Sequence, residues 1–231
     1  MTSSGTYSYT LTNGEAVLAA YERCEIRTPS IRQEHMVTAR RETNLLFVEL
    51  NNRQVNLWKV EALSIDMVAG TATYSVPGRV VMVLDAYISL NNATTTQTDR
   101  YVTPISRTEY ATHAAKFTPG PPTVYWFDRL ISPTITMWPV PESGGPYVLN
   151  YYACTQMQDA NLAGGETPDL PNRWLDVLVS GLAFRLSRTY APQLMQLRKA
   201  DYDEAWKWAG SQDTENVPLT IAPAISAYYP R

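Results

Sequence analysis

The sequence predicts an α+β fold: an N-terminal helix pair, a central antiparallel β-sandwich or small barrel of about five or six strands, a C-terminal helix pair and an extended C-terminal tail. Three observations point there. The spacing of apolar residues is helical over about residues 13–52, alternates over about 55–155, and becomes helical again over about 172–210. Turn signals at Ala69-Gly70, Pro77-Gly78 and Pro141–Pro146 cut the middle region into short strands. Residues 211–231 hold Pro218, Pro223 and Pro230 and follow neither period.

The elements follow in order. Thr12-Asn13-Gly14-Glu15 has capping-box form, and Val17, Ala20, Tyr21 and Cys24 then share one helical face. Thr28-Pro29 ends that helix, and Ser30-Ile31-Arg32-Gln33 offers a second box for a helix over about 31–52. Its Met36, Ala39, Thr43, Leu46 and Leu50 repeat at three and four residues, which makes a seam able to face a partner. Leu63, Ile65 and Met67 alternate with polar residues, as do Ala72, Tyr74 and Val76, whereas Val80–Leu84 reads as a fully buried strand. Asn91–Thr98 reads as an exposed loop or hairpin tip, and Ser106-Arg107-Thr108-Glu109 caps a short helix to about Ala115.

Strands are expected at Thr123–Arg129, Thr134–Trp138 and Tyr147–Cys154, followed by a polar linker at Asp159–Thr167. Asn172 is read as the cap of a helix with an apolar stripe of Leu175, Leu178, Val179, Leu182 and Leu186. Pro192 suits the first turn of the next helix, whose packed side is marked by Leu194, Leu197 and Trp208 and which ends at Gly210. The chain thus divides into a domain over 1–210, with the β region inserted between the two helix pairs, and an extended arm over 211–231.

Composition narrows the function. Apolar residues at 45% and charged ones at 18% give a chain of 231 residues enough core to fold without metals or disulfides. The net charge of −3, with no basic block beyond Arg40-Arg41 and Arg198-Lys199, excludes a dedicated phosphate-neutralising surface. Cys24 and Cys154 form no CxxC and read as buried small hydrophobes. The first residues lack the pattern of a secretory signal, and no apolar run reaches the ~18 residues of a membrane span, so synthesis in a reducing cytoplasm is expected. Fifteen tyrosines and six tryptophans against four phenylalanines favour surfaces that are apolar on one side and hydrogen-bonded on the other, as subunit interfaces are.

The search for chemistry yields no catalytic constellation, metal set or cofactor motif. His35 and His113 lie on separate predicted helices without ligand partners at metal spacing. Ser180-Gly181 falls mid-helix without a nucleophile elbow, and no phosphate-cradling glycine loop occurs. Asp201 and Asp203 point to different helix faces. The loop acids Glu142, Asp159 and Glu166 leave a glycoside-hydrolysing pair open, and Tyr125-Trp126-Phe127 with Tyr151-Tyr152 could form a sugar platform.

Several segments in one order carry a resemblance: Pro104–Tyr110, Pro122–Arg129, Thr136–Pro141, Tyr147–Cys154 and Asp169–Leu175 with its helix to Tyr190-Ala191-Pro192. Together they resemble head–tail adaptor proteins of short-tailed bacteriophages, the group related to tail tubular protein A, over about residues 12–210. The resemblance implies a non-enzymatic virion protein in the neck, forming a ring usually of about twelve copies beneath the portal protein and above the tail nozzle protein. Duplex DNA would pass through without specific binding, and no cofactor or membrane is implied. Met36, Ala39, Leu46 and Leu50 become the candidate subunit-interface seam. Leu219, Ile221, Ile225, Tyr228 and Tyr229 become the anchors of a portal-binding arm. The alternative is a tail-associated cell-wall hydrolase or carbohydrate-binding component.

Overall fold

A computed structural model describes residues 3–6, 9–53, 56–92, 94–143, 146–161 and 165–214. Among them the chain forms five α-helices and eight strands around two hydrophobic cores, one helical and one between sheets. Helix α1 (Asn13–Arg23) starts as expected: the Thr12 hydroxyl accepts from the Glu15 N–H, and the Glu15 carboxylate accepts from the Thr12 N–H at 2.9 Å. Val17, Ala20, Tyr21 and Cys24 are all buried.

Helix α2 (Gln33–Arg53) begins two residues later than the sequence suggests. Ser30 closes a short 3-10 turn over Thr28–Ser30, and the Arg32 N–H donates instead to the Nδ1 of His35 at 3.1 Å. His35 thus does for Arg32 what a glutamate does in a capping box. Helix α4 (Leu175–Tyr190) is the axis of the helical body, with α1, α2 and α5 (Met195–Gln212) packed around it. The predicted stripe of α4 is buried, and so are Val177, Ser180, Gly181, Ala183 and Ser187, because three helices surround it. Asn172 does not cap α4 but opens a 3-10 turn, Asn172–Trp174, that leads into it.

The last helix turns a different side inward than expected. Tyr202, Ala205, Trp206 and Ala209 pack on the core, whereas Leu197 and Trp208 face out. The helix also runs through Gly210 to Gln212, and Asp213 accepts from Arg173 at 2.7 Å with its side chain fully buried. The helix thus runs past its expected end at Gly210.

A polar cluster ties α2, α4 and α5 together. Arg185 on α4 donates to Glu49 at 2.6 Å, Arg53 pairs with Glu49 at 2.7 Å, and the Tyr202 hydroxyl donates to Glu49 at 3.1 Å. Burial pushes the Glu49 carboxyl up, but the hydrogen bond from Arg185 and the charge of Arg53 outweigh it and hold it below its ordinary 4.5. A carboxylate held down in the fold contributes stability that is present above its unfolded value and lost as pH falls through its folded one. E49Q should therefore cost about 1.5–3 kcal/mol at neutral pH. The gap to wild type in thermal unfolding should narrow below about pH 4.5, the ordinary carboxyl value.

The β region supplies more strands than its pattern predicts. One sheet has the order β1 (Val60–Asp66), β8 (Tyr147–Thr155), β3 (Val80–Leu90) and β4 (Thr98–Tyr101), all antiparallel. The other has β2 (Thr73–Ser75), β7 (Thr134–Trp138), β6 (Val124–Asp128) and β5 (Thr103–Pro104), with β5 and β6 parallel. Tyr74, Ala86, Ile88, Tyr125, Ile135, Met137, Leu149 and Tyr151 form their shared core. Strand β3 is only half-buried in its first part, contrary to the reading of Val80–Leu84, because two register shifts twist it there. Helix α3 (Arg107–Thr112) lies outside the sheets, with the Ser106 hydroxyl accepting from the Glu109 N–H at 3.1 Å. Lys59, just before β1, donates to Asp169 at 2.8 Å and links the β region to the segment leading into α4.

Candidate functional site

The residues that could carry chemistry are mostly committed to structure. His35 stacks on Tyr190 at 4.9 Å, and His113 stacks on Trp138 at 3.9 Å. Ser180 donates back to the Asp176 carbonyl at 2.6 Å, and Asp201 pairs with Arg198 at 2.7 Å. Cys24 and Cys154 are buried, and burial raises the Cys24 thiol above its ordinary value, which keeps it protonated. Among the described residues no group of three or more His, Cys, Asp or Glu side chains is placed to hold a metal ion.

The loop acids divide. Asp159 and Glu166 line one cleft of about 340 Å³ with Asn13, Phe47 and Asp169. Asp169 is held there by Lys59 and by the Gln158 N–H. Glu142 lies elsewhere, beside Tyr147, whose hydroxyl donates to it at 3.5 Å. The aromatic runs divide too. Tyr125 and Tyr151 enter the sheet core, Trp126 packs on Tyr110 with the Arg107 guanidinium above it, and Tyr152 faces out. Strand alternation sends neighbouring rings to opposite faces, so they form no continuous platform.

Exposed apolar side chains occur in the β region, Phe117 and Ile131 among them, and as two stripes on the helices. The seam read as partner-facing is filled from within the chain: Ala39, Leu46 and Leu50 are buried and Met36 packs against the same core. On the opposite face of α2, Val37, Leu45 and Val48 are 62%, 46% and 54% exposed. On α5, Leu197 and Trp208 are 53% and 67% exposed. A helix that is apolar on two opposed sides cannot bury both in one small body, and that second stripe is the sequence signal that one apolar face stays free. No helix among the described residues is long and apolar enough to cross a membrane. The arm anchors Leu219, Ile221, Ile225, Tyr228 and Tyr229 lie outside the described residues.

The family model described as SU10 adaptor protein matches residues 38–222, from the first half of α2 through both sheets and past α5. No curated protein matches the chain.

Proposed function

This chain belongs to the SU10 adaptor protein family, a phage head–tail adaptor family, and is a structural protein of the virion; from that premise we propose that it forms a ring between portal and tail nozzle. The observation that carries this reading is the extent of the family match, which spans almost the whole folded body rather than one motif. The ring has about twelve copies, which makes each lateral contact heterologous and the assembly closed. Its task is mechanical continuity, not catalysis. A net charge of −3 per copy favours a conduit that duplex DNA passes without being held.

Residues 215–231 act as the portal-gripping arm. Leu219 and Ile221 are two apart, so an extended backbone presents both on one side, and Ile225, Tyr228 and Tyr229 add pocket-filling anchors. Such a segment adds to a sheet edge or lies in a groove between portal subunits. Because Asp213 is tied to Arg173, the informative truncation falls after Thr214, not after Gly210. The truncated chain should keep the melting temperature of the full chain and lose attachment to portal rings in co-sedimentation. Attachment at normal affinity, or loss of the folded state, would sink the arm assignment.

A further inference from the structure

The two exposed helix faces match each other. Val37, Arg41, Leu45 and Val48 lie within ~80° on the α2 wheel, and Leu197, Ala200, Glu204 and Trp208 within ~80° on α5. All eight are exposed. Each stripe spans ~16 Å along its helix at 1.5 Å per residue. Laid antiparallel, the two stripes fall into one register. Trp208 meets Val37, Glu204 meets Arg41, Ala200 meets Leu45 and Leu197 meets Val48.

That register puts a large side chain against a small one at both Trp208–Val37 and Leu45–Ala200, as interdigitating helices require. It also places the charge of each stripe opposite the other's. Among the described residues Arg41 pairs only with its neighbour Glu42, at 3.6 Å, and Glu204 has no ion pair. Arg40 and Asp203, both exposed, flank the central pair and extend the same complementarity. The reverse, parallel register would bring Glu204 against Leu45 and Arg41 against Ala200, leaving both charges unpaired in the contact.

We infer that α2 of one copy docks antiparallel on α5 of the next copy, through Arg41–Glu204 flanked by Val37–Trp208 and Val48–Leu197. Each copy then offers one face and accepts on another, so the contact is heterologous and repeats from copy to copy. The two stripes are short and each carries a charge in its middle, which makes a single contact weak and assembly dependent on a template. The inference rests on the adaptor reading for the ring, but the contact itself is separately testable.

The test is cross-linking of the full-length R41C/E204C variant with a short bis-maleimide, in concentrated solution and on portal rings. The native cysteines are buried and do not compete. A ladder of covalent oligomers beyond dimer is expected, with R41C mixed with E204C giving dimers and neither variant alone doing so. No ladder, a ladder that stops at dimer, or coupling of R41C to the portal chain would each overturn the pairing. Charge reversal supplies a second readout. R41E and E204R should each lower wild-type assembly on portals by about tenfold or more, and R41E/E204R should restore most of it. Equal loss in the double variant would count against the contact. Wild type that decorates portals while R41C/E204C gives no ladder overturns the pairing alone. A ladder from a chain that ignores portals keeps the pairing and overturns the adaptor assignment.

Discussion

Leucine at position 181 is expected to unfold the helical body. Gly181 sits mid-way along α4, where a Cβ would lie 2.8 Å from Cε2 of Tyr202 and 3.0 Å from Cδ1 of Leu46. Neither neighbour can retreat. Both are buried, and the Tyr202 hydroxyl is anchored on Glu49 while its ring lies under the Arg53 guanidinium at 4.8 Å. Two effects compete in the smaller G181A change. Alanine gains about 1 kcal/mol of helix propensity over glycine. Overpacking a filled site costs about 1–3 kcal/mol, so G181A should be destabilised by up to about 2 kcal/mol. Leucine adds three more carbons to a space that does not hold one, and G181L should lose more than about 3 kcal/mol or fail to fold. Denaturant unfolding of G181A and G181L measures both. A G181L protein within about 1 kcal/mol of wild type would mean that α4 and α5 do not cross as closely as described.

The second large effect is at Trp174, which is fully buried at the start of α4 with its ring 5.0 Å from that of Trp58. W174A should cost about 3–5 kcal/mol, since the bulk it removes lies where α4, the Lys59 segment and the Arg173–Asp213 pair converge. The Nε1 of Trp174 is buried without a hydrogen-bond partner among the described residues. W174F therefore removes volume but breaks no hydrogen bond, and should cost clearly less than W174A. Equal losses for the two variants, read as unfolding midpoints, would show that the indole N–H contributes more than its surroundings indicate.

Local chemistry and periodicity made much of this fold readable. The Thr12 and Ser106 caps, the buried face of α1, the stripe of α4 and strands β1, β2, β6, β7 and β8 follow directly from residue type and spacing. Strand β4 was silent because Thr98–Tyr101 is exposed along its length and so carries no alternation. Strand β5 is two residues, one a proline, and pairs in parallel with β6, a contact that no local pattern encodes. The inward side of α5 is hard to read because both sides carry a tryptophan: Trp208 faces out with Leu197, whereas Trp206 packs inward with Tyr202 and Ala209. Which of the two apolar sides of α2 is free depends on α4 filling the other, a tertiary fact. The match between the outer faces of α2 and α5 could be written down only after both were known to face out.

Electron microscopy of portal rings mixed with the full-length chain tests the adaptor assignment most directly. A closed layer on one end of each portal, with one copy of this chain per portal subunit, is the expected result. Bare portals, or single copies scattered over them without a continuous layer, would contradict it.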